Sequence, residues 1–151
     1  MRTGDNRMNE IEFRGKRIDV GEWVYGNLCL NILGNLGIQE IVGSHKFKLF
    51  REITPETVGQ YIGLKDKNRV KIYVGDIVKF GLNTYQIIFE CGGFCLLDKD
   101  GDMIKKIGGI NDHCYSIFDL FLEFCWENDS AYDIEIIGNI HDNLNLMGVR
   151  E

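Results

Sequence analysis

Apolar and polar residues alternate with a period of two in run after run of this chain, the spacing of a strand with one buried face. Trp23–Leu30 is the strongest such run, and Ile11–Phe13, Ile38–Val42 and His45–Phe50 are shorter ones. Gly15-Lys16, Asp19–Glu22, the Gly/Asn stretch 31–37 and Gly43-Ser44 separate them as turns. Thr54-Pro55-Glu56-Thr57 carries a helix-start signal: a hydroxyl to cap, proline at the first position, an acid next. Gly59 follows so soon that only about one turn is expected. Val58–Leu64 reads as extended and Lys65–Arg69 as a polar turn.

A second strand-rich block begins at Ile72 and runs to Phe80, with Gly75-Asp76 as a turn inside it. Tyr85–Glu90 and Phe94–Asp98 follow at hairpin spacing, and Met103–Ile110 adds a further candidate strand. The period then changes. Ile117, Leu120, Phe121, Phe124 and Cys125 recur at helical spacing, and Ser116 with Asp119 makes a capping pattern, so 116–127 predicts a helix. Asp133–Ile140 alternates as a last strand, and Asp142–Met147 as a terminal turn. Residues 1–9 and 148–151 show no period and read as tails around one domain, 10–147. Short strands at this spacing predict a small antiparallel barrel or roll with one helix packed on it, a mainly β, α+β fold.

Composition changes this picture little. One proline and 18 glycines suit a turn-rich folded chain, and 151 residues can bury a real core. The net charge of −6 gives no global basic field. It is unevenly spread: 13 Lys/Arg against 10 Asp/Glu over residues 1–80, and 4 against 13 over 81–151. The longest uncharged stretch, Trp23–Gln39, is shorter than the roughly 20 residues of a membrane span, and it holds three asparagines and three glycines. Charge scattered over the first residues gives no export segment, and five dispersed cysteines do not make a disulfide framework. The expected location is therefore the cytoplasm, with no contact with a membrane.

Several strings, taken in order, resemble the YopX family of bacteriophage and prophage proteins. They are Phe13-Arg14-Gly15-Lys16, Gly21–Gly26, Pro55–Asn68, Ile72–Val78 and Ile136–Ile140, and together they span about residues 10–147. The resemblance implies a β-rich protein with an SH3-like small barrel in a phage or prophage setting. It implies no established activity and no catalytic residue. The chain departs from the family's pattern at Asn68-Arg69, where Asn-Gly is common, and at His141 and Leu144, where tyrosine and proline are usual.

Signatures of catalysis or nucleotide binding are missing: no Gly-x-Gly-x-x-Gly, P-loop, Gly-x-Ser-x-Gly or His-Glu-x-x-His. No enzyme and no cofactor are expected. An unrecognised active site would need a pocket with convergent polar groups, for example around Asp76, Glu90 and His141. Asp98–Asp102 lacks the glycine and the twelfth-position carboxylate of a calcium loop and reads as a hairpin turn. Cys91, Cys95, His113 and Cys114 have awkward spacing for zinc, and His113, His141 and Asp142 as a metal or catalytic cluster rest on residue type alone. No metal site is expected.

Two features point to partners. Lys65, Lys67, Arg69 and Lys71 alternate, so an extended chain would set four cations on one face, with Tyr61 and Tyr73 beside them to stack on bases. That pattern fits nucleic acid, and it also fits a solvated hairpin. Helix 116–127 adds Phe118 and Leu122 to its inner face, so its apolar arc suits deep burial or a contact between copies of the chain, with Trp126 as an anchor. The expected function is a binding module without catalysis, for nucleic acid through the basic hairpin. A host or phage protein, or a homo-oligomer built through the helix, is the alternative.

Overall fold

The computed structural model describes residues 10–90, 92–99 and 134–147. The chain divides into two units, Met1–Gly63 and Leu64–Glu151.

In the first unit four strands run as an antiparallel meander: β1 (Phe13–Lys16), β2 (Trp23–Leu30), β3 (Leu36–Val42) and β4 (Phe47–Glu52). A single 3₁₀ turn, Pro55–Thr57, leads into β5 (Gly59–Lys65), which returns to the free side of β1. The expected short turn after Pro55 is present, but the Thr54 hydroxyl caps nothing. Thr57 is the useful hydroxyl, accepting from the Lys16 N–H at 2.8 Å and donating to the Thr54 carbonyl at 2.6 Å. Gly15 does not break β1 as expected. It lies within the strand, paired with Val24, and its missing Cβ leaves room for Ile53, which a side chain there would meet at 2.5 Å. Val24, Ile38 and Ile53 form the core of this unit, with Phe13, Leu28, Leu36 and Val58 against it.

β2 serves two partners in turn. Its first half, Trp23–Gly26, pairs with β1, and its second half, Asn27–Leu30, pairs with β3. Gly26 sits at the handover with φ of 155°. At the other end, an isolated bridge between Arg17 and Ile53 ties the chain after β1 to the chain after β4. Arg17 there forks onto Asp19 at 2.9 and 2.6 Å, and that hydrogen bond holds the Asp19 carboxyl below its ordinary range.

In the second unit β6 (Lys71–Tyr73) lies beside the end of β5. A separate sheet has the order β10-β7-β8-β9, from β7 (Asp76–Phe80), β8 (Asn83–Glu90), β9 (Gly93–Leu97) and β10 (Ile134–Asn139). Ile72, Ile77, Val78, Ile87, Leu96 and Ile134 are fully buried. The Gly75-Asp76 turn holds β6 against β7, because the buried Asp76 carboxylate accepts from the Tyr73 N–H at 2.8 Å. β10 carries a bulge between Ile136 and Gly138 and ends in a 3₁₀ turn, Leu144–Met147, near the expected terminal turn.

The α+β expectation, an SH3-like small barrel with a packed helix, is corrected. The described residues form two antiparallel sheets of six and four strands, and their only helical elements are the two 3₁₀ turns. Hairpin spacing predicts antiparallel neighbours correctly. It does not reveal that the glycine turn at 75 starts a new sheet. The expected helix 116–127 and strand 103–110 lie outside the described residues, as do the tails at 1–9 and 148–151.

Asn68-Arg69 keeps the tight hairpin without glycine. Arg69 adopts φ of 64°, its N–H reaches the Asp66 carbonyl at 2.9 Å, and the Asp66 N–H reaches the Val70 carbonyl at 2.8 Å. These bonds make a three-residue loop with a left-handed last residue, the position that favours glycine. Arg69→Gly is expected to raise stability by about 0.5–1 kcal/mol in urea unfolding, relief of strain outweighing the added freedom of the unfolded chain. An unchanged or lowered midpoint would refute the strain.

Candidate functional site

The basic hairpin is built around an acid. Asp66 is 1% exposed, and its carboxylate accepts three backbone N–H groups: Asn68 at 2.9 Å and Val70 at 3.0 Å on one oxygen, Ile136 at 3.1 Å on the other. A buried carboxylate is tolerated where such donors replace its water. The Lys67 N–H also donates to the Ile134 carbonyl at 2.8 Å, so the loop is fastened to β10 from both sides.

This arrangement redistributes the six predicted nucleic-acid residues. The chain reverses between Asp66 and Val70, so Lys65, Lys67, Arg69 and Lys71 do not follow one extended strand. Lys67 and Arg69 are exposed, and Lys65 and Lys71 are half-buried. Lys67 is 2.9 Å from the Glu135 carboxylate on β10, an acid that neutralises it. Tyr61 and Tyr73 are buried, 5% and 3% exposed, so both rings serve the core and neither offers a face to a base. The tyrosines' predicted stacking role is corrected on that ground. Alternation along a strand shows which residues share a face, not which face is inside.

Other candidates resolve locally. Asp76 is committed to the Tyr73 N–H. The Asn139 side chain takes the N–H groups of His141 and Asp142 in a turn. Cys91, His113 and Cys114 lie outside the described residues, while Cys95 is a buried free thiol. Among the described residues no cluster of three His, Cys, Asp or Glu is placed to hold a metal, and no helix is long and apolar enough to cross a membrane.

The surface that sequence reasoning missed is in the first unit, on β2, β3 and β4. Ile41 and Phe47 are 59% and 62% exposed, and Leu49 and Phe50 are exposed as well. Register puts Ile41 across from Lys48, and Gln39 across from Phe50, on one face; Phe47 and Leu49 lie on the other. The Phe50 ring spreads over Gly37, where a Cβ would come within 2.3 Å of it. The β2–β3 loop adds Ile32 and Leu33, fully and mostly exposed, on a turn held by Asn31, whose side-chain oxygen accepts from Leu33 and Asn35 at 2.9 Å each. An ordered turn that projects two aliphatic side chains at one end of β3, and an edge strand exposed on both faces, are apolar surface of the kind that protein contacts use. The sequence did contain its signal, the alternation in His45–Phe50; what it lacked was the knowledge that β4 is at the sheet's edge.

Known proteins compare as follows. A family model described as YopX protein matches residues 12–148. No curated protein matches. Among solved structures, a crystal structure of protein EF1440 from Enterococcus faecalis is similar, with 19% identity and a TM-score of 0.49 over 93% of this chain and 99% of that one.

Proposed function

The chain belongs to the YopX family, and we propose that it is a non-enzymatic binding module whose partner is a protein met on the β2–β3–β4 sheet. The reading includes a phage or prophage origin and work in the cytoplasm of a bacterial host. The observation that carries it is β4, an edge strand with Phe47, Leu49 and Phe50 exposed. Nucleic acid is the weaker reading, because Lys67 is neutralised by Glu135 and both tyrosines are buried.

A photo-crosslinking amino acid placed at Ile41 or Asn68 in a bacterial host separates the two readings. The expected result is a protease-sensitive, nuclease-resistant adduct from position 41 and none from position 68. Adducts from position 68 alone would overturn the proposal. In parallel, labelled single- and double-stranded DNA and RNA are expected to show no anisotropy change at low salt. Binding that falls linearly on a log–log salt plot and is lost in a Lys67→Glu/Arg69→Glu variant would instead make the hairpin a nucleic-acid site.

A further inference from the structure

β4 exposes backbone as well as side chains. The Ile53 N–H donates to the Leu36 carbonyl at 3.1 Å, and this fixes the parity of the β3–β4 ladder. Phe47, Leu49 and Arg51 turn their N–H and C=O groups toward β3, while Lys48, Phe50 and Glu52 turn theirs outward. The Glu52 carbonyl is already taken by the Ile18 N–H at 3.0 Å. Lys48 and Phe50 are left with an outward row of two donors and two acceptors that no described residue fills. Such a row is a template for one more strand.

The side chains along this row state what the strand must be. Lys46 and Lys48 are exposed and form no ion pair among the described residues, whereas Arg51 is held by Glu40 at 3.0 Å. Lys46 adopts φ of 55° in the turn before β4, a conformation that glycine takes at less cost. Two lysines with no counter-ion among the described residues disfavour a second copy of the same edge, where like charges would gather, and favour acids. Phe50 and, on the opposite face, Phe47 and Leu49 call for apolar residues between the acids.

We propose that the outer edge of β4 binds a short, extended, acidic-apolar segment of another protein by antiparallel strand addition, with an acid across from Lys48. This rests on the protein-binding reading above and names the chemistry of its partner. The incoming segment is short, because the Glu52 carbonyl is occupied at one end and the Gly43–Lys46 turn closes the other.

The test uses the full chain and a labelled peptide, acetyl-Thr-Val-Phe-Glu-Ile-Glu-Thr-amide, whose first glutamate would lie across from Lys48. N-methylation of its valine and first glutamate blocks the amides that would face β4, and is expected to weaken binding at least about tenfold. N-methylation of its phenylalanine and isoleucine blocks the amides on the far edge and is expected to leave binding nearly unchanged. A peptide with both glutamates replaced by lysine is expected to bind about tenfold more weakly, and to recover on Lys48→Glu. Equal effects of the two methylation patterns, or no binding of the acidic peptide, overturn strand addition. A crosslink from Ile41 that persists in that case shows that the protein-binding reading survives its loss. A concentration-dependent dimer abolished by Lys48→Pro overturns the proposal in favour of a second copy.

Discussion

Asp66→Ala is expected to remove about 3–4 kcal/mol of stability, a large share of the roughly 5–15 kcal/mol that holds a domain of ordinary size together. Three N–H groups lose a charged acceptor at once, and hydrogen bonds to charged groups contribute about 1.5–3 kcal/mol each before overlap is allowed for. The Asn68 and Val70 amides face an exposed loop and can return to water. The Ile136 amide is the costlier one, since it sits in β10 beside the fully buried Ile134. Asp66→Asn separates these contributions. It keeps one side-chain oxygen for the loop and puts an NH₂ donor against the Ile136 N–H, so about half of the loss is expected, with faster hydrogen exchange at Ile136. Urea unfolding followed by circular dichroism reads both variants. A loss below about 1 kcal/mol for alanine would mean that the backbone bond from Lys67 to Ile134 alone fastens the loop.

That carboxylate also shows how far the sequence could be read. Strand after strand is legible, because a period of two survives in any half-buried strand: the run Trp23–Leu30 coincides with β2 to the residue, and the runs over the 76–80, 83–90 and 93–97 strands nearly do. Partner choice was not legible, because it depends on turns whose geometry is set by contacts remote in sequence. Asp66 reads as one acid in a basic turn until residue 136 is brought to it, 70 positions away. For the same reason four alternating cations suggested a phosphate-binding face. Glu135, the acid that answers Lys67, lies on a strand that no local pattern connects to the hairpin.

The candidate site was legible in half. Phe47 and Leu49 alternating with Lys46 and Lys48 correctly announced a strand. A central strand and an edge strand can carry the same alternation, and only the sheet order, with β4 outermost, turns those side chains into an available surface. Lysines at such an edge have two physical uses, discouraging self-association and attracting acids, and these are compatible. A module whose edge must stay open for a partner needs a device that keeps its own copies off.

Gly26→Ala is expected to have the other large effect, a loss of about 3 kcal/mol or more, because it attacks the point where β2 changes partner. Trp23–Gly26 is registered on β1 and Asn27–Leu30 on β3, so the strand must bend between two neighbours without losing either ladder. Gly26 makes the bend at φ of 155°, where side-chain-bearing residues are rare. A Cβ there would also come within 2.2 Å of the Gln39 carbonyl oxygen. That oxygen belongs to the backbone of β3 and cannot rotate away, so the two strands must separate. Gly37 supplies the comparison. A Cβ there meets the Phe50 ring at 2.3 Å, but also the Arg51 carbonyl oxygen at a less severe 2.7 Å, and the exposed ring is free to swing aside. Gly37→Ala is therefore expected to cost about half as much as Gly26→Ala, through a displaced Phe50 and a slightly opened β3–β4 pair. Urea midpoints followed by Trp23 fluorescence in a Trp126→Phe background rank the two, since Trp23 lies under the Arg14 guanidinium at 4.5 Å and reports on the β1–β2 contact. Equal losses would show that the handover at Gly26 carries no special strain, and that close approach alone sets the cost at both glycines.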